Sequence, residues 1–295
     1  MTERPTLGFV GLGKVGTTLA RLLFARGYRI TAVYSRSTTR AEVLAHVVAA
    51  KAAVSAEEVA ASADLTFLTV SDDVVGDVAA TLSTAELSGR AVVNTSGVHE
   101  ASVLESLVAH GAMIGSFHPI YPFADIEQSI QELPGAAFGV QTESQGLHHW
   151  LIDIINALDG RMLVIGAGQK ALYHSAFVLA SNYGVTLYAI AQQLLADIGA
   201  EREVSSLALN TLMAGMVRNL QVMGMPDALT GPLVRGDVGT IETHLMALQL
   251  FNPTLADVYR QLAIQTLPLI TARGVDTGLI EALLRKKMDD AANHT

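Results

Sequence analysis

Cysteine is absent from the 295 residues of this chain. Its absence excludes disulfide bonds, thiol catalysis and cysteine metal sites, and it is typical of a cytoplasmic protein. The 9 histidines are scattered without the spacing of metal ligands, so we expect no metal site. The first residues lead straight into a predicted strand, and we therefore expect no cleavable signal peptide.

Positive charge is also scarce. Lys and Arg total 19 against 28 Asp and Glu, which gives a formal net charge of -9 at pH 7. A nucleic-acid partner requires a clustered basic face, and because the sequence contains none we expect no nucleic-acid binding. Charged residues make up only 16% of the chain and hydrophobic residues 50%. This balance predicts either a broad core or a large subunit interface.

No stretch of the chain has the composition of a membrane span. The most apolar segment, residues 171–200, contains His174, Asn182 and Asp197, which a bilayer would bury in hydrocarbon. We therefore expect no membrane partner, and we predict a long helix that is buried between domains or subunits. Because the helices of this half are apolar on more faces than one domain can cover, we also predict a homodimer.

A glycine motif follows the first predicted strand. The apolar run Leu7 to Val10 leads into a G-x-G-x-x-G pattern, and a helical pattern follows at once. In dinucleotide-binding proteins the first glycine allows a tight turn, the second admits a pyrophosphate, and the third lets helix and strand pack closely. The predicted cofactor-binding residues here are Gly11, Leu12, Gly13, Lys14, Val15 and Gly16. They would hold the cofactor phosphates at the positive end of the helix; the alternative is a glycine-rich turn without a ligand.

The end of the second predicted strand indicates which dinucleotide binds. NAD-binding proteins carry an acidic residue there for the ribose 2′-hydroxyl, whereas this chain has Ser35, Arg36 and Ser37. A guanidinium group and two hydroxyls suit a 2′-phosphate, so NADP(H) is the predicted cofactor. The alternative is that Arg36 is a solvated turn residue.

More polar residues follow other predicted strands, whose carboxyl ends should meet at one edge of the sheet. Val70 ends the fourth predicted strand and Ser71 follows it, and we predict that both line the nicotinamide side of the site. Ser96 and Gly97 follow the fifth strand. They either hold a substrate carboxylate or form an ordinary helix-start turn.

His118 follows a sixth predicted strand, Met113 to Phe117, in a loop that two prolines make stiff. Its imidazole either reaches the substrate or bonds to nearby backbone. Strands and helices alternate until about Gly166, after which only helical patterns occur. We therefore predict a dinucleotide-binding domain over residues 1–167 and an all-helical substrate and dimerisation domain over residues 168–295.

Lys170 and His174 begin the helical half. They are four residues apart on an otherwise apolar helix and therefore share one face, while Asn182 can join them only from the flank. A lysine and a histidine are costly to bury without partners, which indicates a catalytic site. The alternative is a surface lysine at a helix start and a hydrogen-bonded core histidine.

A second polar cluster interrupts the later helices at residues 225–237. Arg235 in this segment either clamps a carboxylate or phosphate of the substrate or pairs with Asp237 in a loop between helices. Asp237 is predicted to cap the helix that runs to about Leu250. Two further helices are predicted, from about Pro253 to Arg273 and from Thr277 to Met288.

With these residues in view, the chain resembles the oxidoreductases that join a Rossmann-like domain to a DUF2520 domain. The resemblance rests on Ser96-Gly97, Ser116 to Pro119, Tyr173 to Ala176, Ser181-Asn182, Leu229 to Pro232, Arg235 to Asp237 and His244. The first half is similar to the NADP- or F420-binding domain of pyrroline-5-carboxylate reductase-like and 3-hydroxyisobutyrate dehydrogenase-like proteins. The resemblance implies an α/β Rossmann domain followed by an all-α domain like the C-terminal domain of 6-phosphogluconate dehydrogenase.

Hydroxyacid dehydrogenases and ketopantoate reductases, which the chain also resembles, use a Lys-x-x-x-Asn pair at the start of a long interdomain helix. Their lysine donates a proton to the developing alkoxide, and their asparagine helps to hold the substrate. Lys170 and His174 match that pair, with histidine in place of asparagine. The resemblance therefore implies a fold and a cofactor, and it does not name a substrate.

These observations predict an NADP(H)-dependent oxidoreductase. It would transfer a hydride between nicotinamide and a small carbonyl, imine or hydroxyacid substrate in an interdomain cleft, with Lys170 or His174 transferring the proton. The predicted substrate-binding residues are Ser96, Gly97, His118, Asn182 and Arg235. Two alternatives stay open: an NADP(H)-binding sensor or scaffold without turnover, and an F420-dependent reductase.

Overall fold

The computed structural model describes residues 4–285 of the chain. These residues form two compact units, one of which ends at Val185 while the next begins at Thr186. The first unit contains an eight-stranded sheet with helices, and the described part of the second unit is helical. The predicted fold class, an α/β Rossmann domain followed by an all-α domain, is confirmed. The predicted division into residues 1–167 and 168–295 stays a prediction.

The sheet is of the doubly wound type. Its strands are β1 (Leu7–Val10), β2 (Ile30–Tyr34), β3 (Lys51–Ala52), β4 (Leu65–Leu68), β5 (Ala91–Asn94), β6 (Met113–Pro119), β7 (Ala137–Gln141) and β8 (Arg161–Val164). They lie in the order β3-β2-β1-β4-β5-β6-β7-β8. Strands β1 to β6 are parallel, whereas β7 is antiparallel to β6 and parallel to β8. The strand order reverses between β1 and β4, and ligands of such sheets bind beyond the carboxyl ends of the strands at this point.

Helices cover both faces of this sheet. They are α1 (Lys14–Ala25), α2 (Thr38–Val47), α3 (Ala56–Ser62), α4 (Val75–Leu82), α5 (Ile126–Glu132) and α6 (Gln145–Ala157), with 3-10 helices at Asp72–Val74 and Ala101–His110. Successive side chains of a strand alternate between the two faces. Phe9 of β1 therefore packs in one core with Leu19 of α1, and its neighbour Val10 packs in the other with Val59 of α3.

Strand β6 is longer than predicted, which corrects the placement of His118. The sequence predicted that the strand ends at Phe117 and that His118 lies in a stiff loop. In the structure β6 extends to Pro119, and His118 lies opposite Gly139 of the antiparallel strand β7. Proline lacks an N–H, but it is tolerated at the end of a strand. The sheet therefore fixes the backbone of His118.

The helical part of the chain begins immediately after the sheet. It starts with α7 (Lys170–Phe177), a π-helical segment (Val178–Asn182) and α8 (Tyr183–Asp197). Helix α8 continues into the second unit, whose other described helices are α9 (Arg202–Met223), α10 (Val238–Phe251), α11 (Pro253–Ala272) and α12 (Gly278–Arg285). The predicted cap of α10 is confirmed, because Asp237 Oδ1 accepts a hydrogen bond from Thr240 N at 3.1 Å. The last three residues of the helix predicted to end at Met288 lie outside the described residues.

Packing in the second unit is uneven. Ile241 and Leu245 of α10 form a core with Ile270 of α11 and Leu284 of α12. In contrast, α9 buries only Ser205 along its 22 residues, and α8 buries none of its residues. Across residues 4–285, no helix combines the length and apolar character that crossing a membrane requires.

Candidate active site

The glycine loop between β1 and α1 has the geometry that the motif predicts. Gly11 has a φ of +95°, and a Cβ there would lie 2.8 Å from the backbone of Thr69. A Cβ on Gly16 would overlap the carbonyl oxygen of Gly11. The Thr69 hydroxyl donates to the carbonyl oxygens of Val10, at 3.2 Å, and of Gly11. Gly11 and Gly16 are therefore required by the fold itself.

Gly13 differs from these two glycines, because a Cβ there would meet no protein atom within 4 Å. It occupies the N-cap position of α1, which has no side-chain cap and no acidic residue in its first turn. The free N–H groups of a helix start favour an anion. Lys14 beside it is exposed, and a cavity of about 540 Å³ adjoins both residues. This open, electropositive helix start fits the phosphates of a dinucleotide.

Around this loop, Leu12 is buried and Val15 is half-buried, so both anchor the loop through side-chain packing. At the end of β4, Val70 is half-buried and Ser71 is exposed. A Cβ on Gly11 would lie 2.8 Å from Val70 Cγ1, which places Val70 directly beside the glycine loop.

The three residues after β2 form an exposed turn. The Ser35 hydroxyl oxygen accepts a hydrogen bond from Ser37 N at 3.2 Å. The Ser37 hydroxyl oxygen accepts one from Arg40 N at 3.4 Å and caps α2. Arg36 is exposed, and within residues 4–285 it forms no ion pair with a carboxylate. Its guanidinium group is therefore available to an anionic ligand such as a 2′-phosphate.

The loop after β5 is held by its own side chains. The Ser96 hydroxyl oxygen accepts hydrogen bonds from Val98 N at 3.1 Å and His99 N at 2.9 Å. Asn94 contributes a third bond, because its Oδ1 accepts from Ser96 N at 3.1 Å. The Ser96 side chain therefore shapes the turn, and its backbone carbonyl is the group that faces Lys170.

Lys170 is a charged residue of the first unit, yet 0% of its surface is exposed. Its Nζ donates to the carbonyl oxygen of Ser96 at 2.5 Å. Within residues 4–285 no carboxylate forms an ion pair with it. Burial lowers the pKa of Lys170 to about 8, although the negative charges of Glu100 and Asp72 act in the opposite direction. An ammonium group with this pKa can donate a proton near neutral pH.

Two histidines converge on Gly97, which is buried. A Cβ on Gly97 would lie 2.5 Å from His174 Cδ2 and 3.1 Å from His118 Nε2. The centroids of the His118 and His174 rings are 6.4 Å apart. Burial, followed by the electrostatic interactions with Lys170 and His174, lowers the pKa of His118 to about 4. His118 is therefore neutral at pH 7.

Sequence reasoning gave no role to two residues that the structure places in this group. The Tyr173 hydroxyl lies 2.7 Å from His118 Nδ1. Glu100 Oε1 accepts a hydrogen bond from Lys170 N at 3.1 Å, and Glu100 also accepts one from Gln141. Tyr173 could have been noticed, because it adjoins His174 in the sequence. Glu100 gives no such signal, because its partners are far away in the chain.

The remaining predicted substrate-binding residues are Asn182 and Arg235. Asn182 is exposed at the end of the π-helical segment. Arg235 is exposed in the second unit, in the segment between α9 and α10. Their roles stay predictions. In the described part of the chain, no three His, Asp or Glu side chains are arranged to hold a metal ion.

Comparisons with known proteins agree with this arrangement. A family model described as NADP oxidoreductase, coenzyme F420-dependent, matches residues 6–97. A second model, the domain of unknown function DUF2520, matches residues 136–266. A search of curated proteins found no significant match.

Solved structures resemble nearly the whole chain. A protein from Thermotoga maritima (TM1727) is 25% identical, with a TM-score of 0.75, and the match covers 92% of this chain and 100% of that one. A proposed NADP oxidoreductase from Bacteroides fragilis (BF3122) is 25% identical, with a TM-score of 0.69 and coverage of 89% and 97%. An imine reductase from Myxococcus stipitatus in complex with NADP+ is 19% identical, with a TM-score of 0.63 and coverage of 96% and 100%, and shares the fold.

The predictions of an NADP-dependent oxidoreductase and of NADP(H) as its cofactor are confirmed at the level of the family. The glycine loop lies inside the first matched segment, and Lys170, Tyr173 and His174 lie inside the second. The chain therefore joins a segment similar to the NADP oxidoreductase, coenzyme F420-dependent, family to a segment similar to DUF2520.

Proposed function

We propose that the chain transfers a hydride between NADP(H) and a small carbonyl, imine or hydroxyacid substrate at the carboxyl edge of the sheet. The observation that carries this proposal is the buried ammonium group of Lys170, which no carboxylate pairs with in residues 4–285. Burying an unpaired charge is costly. The buried charge of Lys170 has a role if it stabilises the negative charge that develops on the substrate during the reaction.

The cofactor would lie across the reversal of strand order between β1 and β4. We assign its phosphates to the start of α1 at Gly13 and its 2′-phosphate to Arg36, which explains the open space at the first and the free guanidinium group at the second. Val70 and Ser71 would line its nicotinamide side. When bound, NADPH supplies the hydride. The protein would then position the acceptor and supply the proton from Lys170 or His174.

Among the three substrate types, the charge of Lys170 favours a carbonyl group or its hydroxyl product. Hydride addition to a carbonyl group builds negative charge on oxygen, which an ammonium group stabilises. Hydride addition to an iminium ion removes a positive charge, and binding that cation beside Lys170 costs repulsion. Structures of imine reductases share this fold at 19–20% identity, and such a likeness does not carry their substrate to this chain.

A substitution of Lys170 by methionine tests this function. Methionine keeps the length of the side chain and removes its charge, so NADPH binding should be unchanged. Turnover of carbonyl substrates should fall on the order of 10²- to 10⁴-fold, which is the usual contribution of a general acid. In the unsubstituted protein, kcat/KM should also fall as the pH rises through about 8, because Lys170 then loses its proton.

The control is Lys51→Met, which removes an exposed lysine that pairs with Glu58. The measurement is NADPH oxidation over a panel of keto acids, aldehydes and imines. Normal turnover in Lys170→Met would remove this lysine from the mechanism. Tight NADPH binding without oxidation of any substrate would instead favour the second candidate function, a sensor or scaffold.

The sensor alternative has one specific observation in its favour. The Nζ of Lys170 already donates to the Ser96 carbonyl, and the Ser96 hydroxyl oxygen accepts two backbone hydrogen bonds, so part of the group is satisfied without a ligand. An F420-dependent reductase remains a third candidate, because the matching family model names that coenzyme. The exposed Arg36 with its serine neighbours favours NADP(H), since these groups suit a 2′-phosphate.

We also propose a homodimer in which a second copy of the chain covers α9. Leu207, Leu212 and Val222 of this helix are 69%, 70% and 78% exposed. The helix carries few charges, so its surface suits another apolar surface, and a second copy supplies one by symmetry. Sedimentation should show a dimer that Leu212→Glu dissociates, while Val54→Glu, at a position 85% exposed in the first unit, should leave it intact. A monomeric unsubstituted protein would contradict this proposal.

A further inference from the structure

We propose that Tyr173 holds His118 in the neutral tautomer with its proton on Nε2, and that this N–H donates a hydrogen bond to the carbonyl oxygen of the substrate. The inference rests on the proposed function and adds a positioning residue and a binding group to it. Tyr173 lies on α7 and His118 on β6, so the pair joins the sheet to the first helix after it.

The contact between the two side chains is specific. The Tyr173 hydroxyl lies 2.7 Å from His118 Nδ1, and the two rings meet edge to face with centroids 5.7 Å apart. Gly139 makes this contact possible, because a Cβ there would overlap the Tyr173 hydroxyl. Gly139 is the residue opposite His118 in the antiparallel pair. The strand that fixes the backbone of His118 therefore also leaves space for the phenol group.

The direction of this hydrogen bond sets where the proton of His118 lies. A neutral imidazole has one nitrogen that donates and one that accepts. His118 is neutral at pH 7, because burial and neighbouring positive charge lower its pKa to about 4. Burial also raises the pKa of Tyr173, so its hydroxyl keeps its proton and can donate a hydrogen bond to Nδ1. The ring proton then lies on Nε2.

The Nε2 atom is on the side of the loop after β5. A Cβ on Gly97 would lie 3.1 Å from it, so a side chain at position 97 would crowd this nitrogen and glycine does not. A neutral N–H is a donor without a charge, and beside the Lys170 ammonium group it adds a second donor for one oxygen atom. An iminium nitrogen offers no lone pair to accept such a bond, whereas a carbonyl or hydroxyl oxygen does. The pair therefore favours substrates with a carbonyl or hydroxyl oxygen over iminium ions.

Nitrogen NMR tests the tautomer without any substrate. In protein labelled with ¹⁵N-histidine, long-range ¹H–¹⁵N correlations distinguish a protonated ring nitrogen from an unprotonated one, and His118→Gln identifies the signals of His118. At pH 7 we expect the proton on Nε2. Tyr173→Phe should produce a mixture of both tautomers, and Tyr28→Phe should not. Tyr28 is a matched control, because its hydroxyl also bonds a side chain, Asp153, at 2.6 Å.

A proton on Nδ1 in the unsubstituted protein, or no change in Tyr173→Phe, would overturn the proposal. A second readout is turnover: Tyr173→Phe should lower kcat about tenfold, the effect expected when one neutral hydrogen bond is lost. His118→Gln can still present an N–H and should retain more activity than His118→Leu. Equal activity of these two variants would also overturn the proposal. A protein that shows the expected tautomer but oxidises no NADPH would contradict the proposed function instead.

Discussion

The glycine loop and the polar group around Lys170 lie at the same edge of one sheet, yet they are built in different ways. The loop consists of six consecutive residues, Gly11 to Gly16, and it acts through backbone and empty space. The polar group (Ser96, Gly97, Glu100, His118, Lys170, Tyr173 and His174) comes from three separate segments and acts through side chains. A local pattern is therefore enough to indicate where a cofactor binds, whereas the chemistry depends on how distant segments meet.

The glycines sharpen this contrast, because not all of them serve the same purpose. Gly16 packs against the carbonyl oxygen of Gly11, whereas Gly13 faces open space. Gly16 is required for the protein to fold around the loop, whereas Gly13 is required only if a ligand approaches. Equal substitutions at the two positions should therefore have different consequences.

The largest effect is expected for Gly16→Ala. The added methyl group would displace α1 from β1, and overpacking of this kind costs about 1–3 kcal/mol, which lowers Tm by roughly 2–4 °C per kcal/mol. NADPH affinity should fall on the order of 100-fold, or about 3 kcal/mol, because the helix start moves. Thermal unfolding and a fluorescence titration with NADPH measure both effects.

Gly13→Ala is the matched control. It should leave Tm unchanged, because the new methyl group meets no protein atom within 4 Å, and it should still weaken NADPH binding. If Gly13→Ala bound NADPH normally, the phosphates would not lie at the start of α1. If both variants lost stability equally, the distinction between the two glycines would be wrong.

The same contrast explains how much could be predicted from the sequence. The sheet, the glycine turn and the cap at Asp237 follow from short-range patterns, and the structure contains all three. The strand position of His118 could not be predicted, because pairing with Gly139 of β7 decides it and proline normally ends a strand. The contact of Glu100 with the start of α7 has no local signal either, since it joins residues 70 positions apart.

The next effect concerns the other end of the cofactor. Arg36→Ala should lower NADPH affinity about 10- to 100-fold, which corresponds to the loss of a hydrogen bond between charged groups. NADH affinity should change little, because NADH lacks the 2′-phosphate. Arg4→Ala is a suitable control, since Arg4 is an exposed arginine that pairs with Asp153 instead. Titration with both cofactors measures the ratio of NADPH affinity to NADH affinity. An equal loss of affinity for NADPH and NADH would show that Arg36 does not bind the 2′-phosphate.

The smallest effect is expected in the polar group, for Glu100→Gln. The negative charge of Glu100 raises the pKa of Lys170 against the larger effect of burial. Glutamine keeps an oxygen that can accept from Lys170 N but removes this charge, so the pKa of Lys170 should move below about 8, by less than about one unit. The titration of the Lys170 Cε resonance measures this directly and needs no substrate.

Glu105→Gln is the control for this last substitution, because Glu105 lies in the 3-10 helix that follows Glu100 but is not among the charges that act on Lys170. In Glu105→Gln the pKa of Lys170 should equal that of the unsubstituted protein. An unchanged or higher pKa in Glu100→Gln would mean that the charge of Glu100 does not raise the pKa of Lys170. A lower pKa would show that Glu100, which is distant from Lys170 in the sequence, tunes the pKa of the proton donor. The glycine loop needs no such distant partner, because its residues are neighbours in the chain.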